Sequence, residues 1–250
     1  MQAPTSITLA LAPTGTLRAS INLGNALLAN LNPATQQPFG ISIDLAHELA
    51  RRLGVGVELI SFDSARYSVE AVKDERADIG FFAIDPLRGD GIAFTAPYVV
   101  IEGGYMVRQD SKLKSIEEVD RTGHTIAVIK GSAYDLFLSR EIKHAEILHA
   151  PTAPEVLKAF STLQLDVVAG VKQMLVEEVK QNAGLRLLPG RFMEIQQAMV
   201  LPHGKGDAAA EYLRQFVQDM KSSGFVTDAI RRHSILGATV PNRRSIQGNP

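Results

Sequence analysis

The 250-residue chain contains no cysteine. That absence removes disulfides, thiolate nucleophiles and Cys-ligated zinc together. It suits an exported protein without locating this one. No run approaches the roughly 18 apolar residues that a membrane span needs. There is no excess charge of either sign, since 26 basic against 27 acidic residues leave a formal charge of −1. The doublets Arg51-Arg52, Arg231-Arg232 and Arg243-Arg244 stand alone, which argues against a nucleic-acid or anionic-membrane surface. The opening MQAPTSITLALAPTG has no basic residue before Arg18, and Pro and Thr interrupt its apolar stretch. It does not read as a signal peptide. The expectation is a protein that stays inside the cell or one whose export signal has been removed. No repeat is visible at the residue level.

The length and ordinary apolar share allow one large or two small domains. Residues 16–23 (TLRASINL) read as a strand, followed by the turn Gly24-Asn25 and a Pro/Asn/Gln-rich loop over 30–38. IDLAHELARRLG reads as a helix, with Leu45, Ala46, Leu49, Ala50 and Leu53 on one face. Asp44 is placed to cap its start and Gly54 to end it. A strand at 55–60, a helix near 66–75 and a strand at 78–84 complete β-α-β-α-β, an α/β sheet covered by helices. The pattern restarts at TIAVI (125–129) and alternates helix and strand to LRLL (185–188). Two such units of about a hundred residues predict two lobes. Helices are expected at 207–222 and 225–233, and a loose tail from Leu236 onward.

Two segments could bind an anion. KGSAYDLF (130–137) follows a strand and opens a helix, where unpaired N–H groups and the helix dipole favour negative charge. Gly131 admits a close approach, Ser132 offers a hydroxyl and Lys130 adds charge. The competing reading, favoured by sequence alone, makes Ser132 the cap of its own helix. In FFAIDPLRG (81–89), Arg88 could present its planar fork to a carboxylate. Alternatively it pairs with Asp85 or Asp90 on a wet loop, where an ion pair contributes little. Taken alone, the arginine reads as the loop charge.

Enzyme signals do not survive inspection. HELAR (47–51) places Arg51 where a second zinc-binding His is needed. SKLK (111–114) is Ser-x-x-Lys on a polar loop. LGVGVE lacks the third glycine of a dinucleotide loop and leads into a strand. His144 and His149 flank a strand without an obvious partner and read as surface residues. No catalytic residue, metal site or cofactor is assigned.

GISIDLAHELARRLGV, ADIGFFAIDPLRGDGIAFTAPY, TIAVIKGSAYDLF, LDVVAG and QQAMVLP occur here in the order found in a known family. Across 16–234 the chain resembles the bacterial solute-binding proteins of the amino-acid-binding, type II periplasmic group. The resemblance implies an α/β two-lobe type II periplasmic-binding-protein fold with two crossing hinge segments, near 102–106 and 196–200. Lobe 1 would be discontinuous (1–102 and 199–250), lobe 2 would span 103–198, and the ligand cleft would lie between them. It implies that Arg88, after the third strand, holds the ligand's carboxylate together with backbone N–H groups at Ser132 and Ala133, with Gly131 beside them.

The departures shape the expected ligand. The family's Gly-x-Thr before the arginine aligns with Phe81, Phe82 and Ala83, so the threonine hydroxyl is missing. Where relatives place an aspartate for the ligand's ammonium, this chain aligns Gly170. A desolvated ammonium needs such a partner. The expected ligand is therefore a small carboxylate other than a standard L-α-amino acid, or an amine held differently. Asn22, Asn25 and Gln197 are candidate polar contacts, and Phe81 or Phe82 a candidate apolar wall. The expected partner is the membrane permease of an ABC transporter, with no nucleic acid involved. A periplasmic monomer is expected, a cytoplasmic location being the alternative. Two other readings of this scaffold are a dehydratase-like lyase acting on a cyclic carboxylic acid and a ligand-sensing module.

Overall fold

The computed structural model describes residues 3–241. The chain forms two compact units, Met1–Val100 with Gln196–Pro250, and Ile101–Ile195. The first unit begins with α1 (Thr5–Leu11), which buries Ile7 and Leu11. There follow β1 (Thr16–Asn22), the small hairpin of β2 (Asn30–Leu31) and β3 (Pro38–Phe39), α2 (Ile41–Leu53), β4 (Gly56–Phe62), α3 (Ala65–Lys73) and β5 (Ile79–Ala83). The long strand β6 (Ile92–Arg108) starts in this unit and continues into the second. There it is followed by β7 (Thr125–Ile129), α4 (Ala133–Glu141), β8 (Glu146–Ala150), α5 (Ala153–Thr162), β9 (Val167–Val171), α6 (Lys172–Gln181) and β10 (Leu185–Leu187). Strand β11 (Met193–Pro202) returns the chain to the first unit, which ends with α7 (Asp207–Ser222) and α8 (Phe225–Arg232).

In the first unit β4, β1 and β5 run parallel, and β11 lies antiparallel to β5 with Gln197 opposite Ala83. In the second, β8, β7 and β9 are parallel, with β6 antiparallel beside β9. Parallel strands buried on both faces read as continuous apolar runs, and all five residues of β5 and of β9 are buried. Phe81 packs on one face of β5, edge-on to Tyr98. Phe82 packs on the other, with Val72 and Ile92.

Helix α2 shows how local sequence sets an element. Ile41, Leu45, Leu49 and Leu53 recur at four-residue spacing and are all buried. Gly54 closes the helix at φ 72°, a left-handed conformation that suits glycine. The expected cap at Asp44 is not found. Gly40 is the N-cap, at φ 130°, and a Cβ there would collide with the Leu28 carbonyl oxygen. Close backbone packing fixes this start. Asp44, one turn inside, instead accepts hydrogen bonds from Arg232 Nη1 and His233 Nε2, both at 2.8 Å.

Three further expectations change. Residues 5–11, read only as an interrupted apolar stretch, form α1. The loop over 30–38 holds the β2-β3 hairpin. The tail is not loose where it begins, because Thr239 bridges Val100 of β6 through two backbone hydrogen bonds of 2.8 and 3.0 Å. The rest of that expectation, from residue 242, lies outside the described residues.

One ion cluster ties the first unit together. Asp78, fully buried just before β5, accepts from Arg18 N, Nε and Nη2 at 2.8–3.0 Å and from Lys205 Nζ at 2.7 Å. Burial pushes its carboxyl upward, and the bonds from Arg18 and Lys205 outweigh this and hold it below its ordinary value. The cluster joins β1, the entry to β5 and the turn before α7.

Candidate functional site

In open parallel sheets, ligands bind beyond the carboxyl ends of the strands. In the first unit that edge carries the residues after β1, β4 and β5. Asp85 caps a single 3₁₀ turn over Pro86–Arg88 by accepting from Leu87 N at 2.9 Å. This turn directs Arg88 back onto the strand end, where Nη1 donates to the Ala83 carbonyl at 3.3 Å. Arg88 is only 5% exposed, so it is not a charge on a wet loop. Burial pulls its guanidinium down to about 10, against the opposing effect of the Asp85 charge. It remains a cation at neutral pH. Gln197, buried and opposite Ala83 on β11, belongs to the same strand end.

The other candidates in this unit divide. Asn22 Oδ1 accepts from Gly24 N at 3.0 Å, which makes it a turn residue. Asn25 Oδ1 is buried and has no hydrogen-bond partner. Phe82 is not a site wall. It is 1% exposed within the core, because successive side chains of a strand point to opposite faces and both faces of β5 are covered. Phe81 lies in the core of the other face. The exposed apolar side chains beside Arg88 are Ile84 and Leu87, which the sequence reading passed over.

In the second unit the corresponding edge follows β7 and β9. Ser132 caps α4, its Oγ accepting from Asp135 N at 3.1 Å. Gly131, at φ 75°, gives its N–H to Asp135 Oδ2 at 2.7 Å. Asp135 is buried, and its other oxygen accepts from Ser139 Oγ at 3.1 Å and contacts His149 Nε2 at 2.8 Å. The Gly131 amide therefore serves the chain's own carboxylate. Ala133 opens the helix, where N–H groups lack intrahelical acceptors. His149 has a partner, contrary to expectation, because β8 and α4 come together only in the fold.

Gly170 is placed by packing. A Cβ there would meet Leu175 Cδ2 at 3.1 Å, and the position lines an apolar cavity of ≈ 110 Å³ with Ile129, Val156 and Met174. A carboxylate at 170 would enter this cavity. We predict that Gly170→Asp lowers stability by about 2 kcal/mol, measured by denaturant unfolding, without creating affinity for amino acids. Beyond it, Val171 and Lys172 offer no carboxylate either. Lys172 Nζ is paired with Glu102 at 2.9 Å.

Among the described residues no cluster of three or more His, Asp or Glu could hold a metal, and no helix is long and apolar enough to cross a membrane. The sequence profile of the bacterial extracellular solute-binding proteins, family 3, matches residues 28–234. The chain belongs to that family, one of solute-binding proteins rather than enzymes. A search of curated protein sequences finds no significant match. Among solved structures, the solute receptor for L-cysteine of Neisseria gonorrhoeae is similar at TM-score 0.78 and 19% identity, covering 92% of this chain and 94% of the other. A binding component of an ABC transporter from Wolinella succinogenes, complexed with lysine, gives TM-score 0.75 at 19% identity and coverages of 94% and 99%. An ancestral amino acid-binding protein, a precursor of cyclohexadienyl dehydratase, gives 0.75 at 20% identity and coverages of 90% and 98%. At these identities the likeness establishes the type II periplasmic-binding-protein fold.

Proposed function

We propose that this protein is the solute-capturing component of an ABC-type importer, working in the periplasm as a monomer and delivering its ligand to a membrane permease. The ligand is a small, amino-acid-like carboxylate other than a standard L-α-amino acid. Its carboxylate is taken by Arg88 on one unit and by N–H groups opening α4 on the other, and the two lobes close over it. Ligand contact with both halves favours the closed state, since a ligand shifts an equilibrium only by its differential affinity.

The observation that carries this reading is the buried guanidinium of Arg88 at the carboxyl end of β5. Its planar fork can give a bound carboxylate charge-assisted bonds of about 1.5–3 kcal/mol each. Two or three of them, less the costs of ordering and closure, give roughly micromolar affinity. Ile84 and Leu87 would supply the apolar wall that Phe82 cannot. The exclusion of ordinary α-amino acids is supported by the lack of a carboxylate at Gly170, Val171 and Lys172.

A thermal-shift screen of small carboxylates, L-amino acids and their N-substituted and cyclic analogues tests the proposal. A ligand at a hundred times its Kd stabilises the fold by about 2.7 kcal/mol, which should raise Tm measurably for carboxylates outside the L-amino acids. Tight binding of common L-amino acids would overturn the ligand class, and no shift with any carboxylate would overturn the function.

A further inference from the structure

Among the described residues, two buried side-chain oxygens have no hydrogen-bond partner, Asn25 Oδ1 and Gln173 Oε1. Each lies just past the carboxyl end of a parallel strand, Asn25 after β1 and Gln173 after β9. Asn25 is a candidate on sequence grounds, whereas Gln173 carries no sequence signal. It occupies the first turn of α6, immediately after Gly170-Val171-Lys172. β9 pairs with β7 in parallel, so the starts of α6 and α4 emerge at one edge of the second unit's sheet. A buried carbonyl oxygen without a donor is costly, and such an acceptor at a ligand edge is accounted for by a donor arriving with the ligand.

The charge pairs at the start of α6 indicate what kind of donor. Glu102, on the strand paired with β9, is already shared between Lys172 Nζ at 2.9 Å and Arg191 Nη1 at 2.8 Å. Arg191 also pairs with Glu194 at 2.7 Å. Among these groups no carboxylate is uncommitted, and a desolvated ammonium needs a full counter-charge. A neutral N–H or O–H donor needs only a carbonyl.

We propose that Gln173 is a specificity-determining residue whose Oε1 accepts a hydrogen bond from an uncharged donor on the ligand. The ligand class is then a carboxylic acid bearing a hydroxyl or an acylated nitrogen where an α-amino acid bears its ammonium. This rests on the carboxylate reading above and narrows it.

The experiment compares wild type, Gln173→Met, Gln173→Glu and Arg88→Ala by calorimetry and thermal shift. Probes are alanine, leucine and glutamine, with the matching 2-hydroxy acids, N-acetyl amino acids and des-amino acids. Wild type should bind a hydroxy or N-acetyl acid at least tenfold more tightly than its amino and des-amino counterparts. Gln173→Met should erase that ranking, and Gln173→Glu should move it at least tenfold toward the ammonium ligand. Without ligand, Gln173→Met should keep or raise Tm, because it removes an unsatisfied acceptor at nearly constant shape. A lowered Tm for unliganded Gln173→Met overturns the inference, as does a ranking unchanged by both Gln173 variants. If the ranking stays fixed while Arg88→Ala abolishes binding, only the Gln173 assignment fails. If the ranking moves while Arg88→Ala binds normally, the Arg88 clamp fails instead. No binding of any probe by wild type overturns both.

Discussion

Arg88→Ala is expected to weaken binding of the cognate carboxylate about a hundredfold, corresponding to roughly 2.7 kcal/mol. The guanidinium is buried, positioned by a capped 3₁₀ turn and by the Ala83 carbonyl, so no solvent screens its contribution. Arg88→Lys separates charge from shape. It keeps the cation, loses the bidentate fork, and should recover only part of the affinity. Calorimetry on the ligand identified by thermal shift reads both effects. Each variant's unliganded Tm should be recorded, because alanine also leaves the buried Asp85 without its neighbouring cation. Undiminished heat of binding in a folded Arg88→Ala protein would remove Arg88 from the site.

Asp78→Asn is expected to have the largest effect on stability, a loss of about 3 kcal/mol, because the buried side chain of Lys205 and the partly exposed one of Arg18 lose the carboxylate they share. For a chain of this size that is a fall in Tm of roughly 10 °C. The pH dependence has a definite sign. Arg18 and Lys205 hold the Asp78 carboxyl below its ordinary value of 3.8. Its stabilising contribution is thus complete above that value and disappears as pH falls through the lower folded value. Denaturant unfolding between pH 7 and pH 2 should show a steep acid limb in the wild type, flattened in Asp78→Asn. Parallel limbs would show that this cluster does not govern acid stability.

Strands and helix ends with local causes were legible in the sequence. TIAVI appears as β7 over the expected residues, and Gly54 closes α2 as its position required. Asp44 was misread because a side-chain cap and a glycine held by backbone packing can both start a helix. Only the contact of Gly40 with Leu28 distinguishes them. Arg88 was visible as a candidate, but its burial is a property of the tertiary structure that a charged residue after a strand does not announce. The same non-locality hid the contact between His149 and Asp135. Phe82 could not be separated from a pocket wall by alternation alone, since β5 is covered on both faces. Gln173 left no trace at all, as one neutral polar residue in a first helical turn is unremarkable until its oxygen is found without a donor.

The path of the chain through its two units also bears on the order in which they can be completed as the chain emerges. Residues 101–195 are contiguous and can close their core once the last of them has emerged. The part of the first unit before residue 101 must wait, because β5 lacks its β11 neighbour and the shared core lacks Leu213 and Phe216 of α7 until residues beyond 195 have followed. The segment before residue 101 is therefore finished after the one that follows it, and its exposed strand and apolar surface are what a chaperone would have to shield.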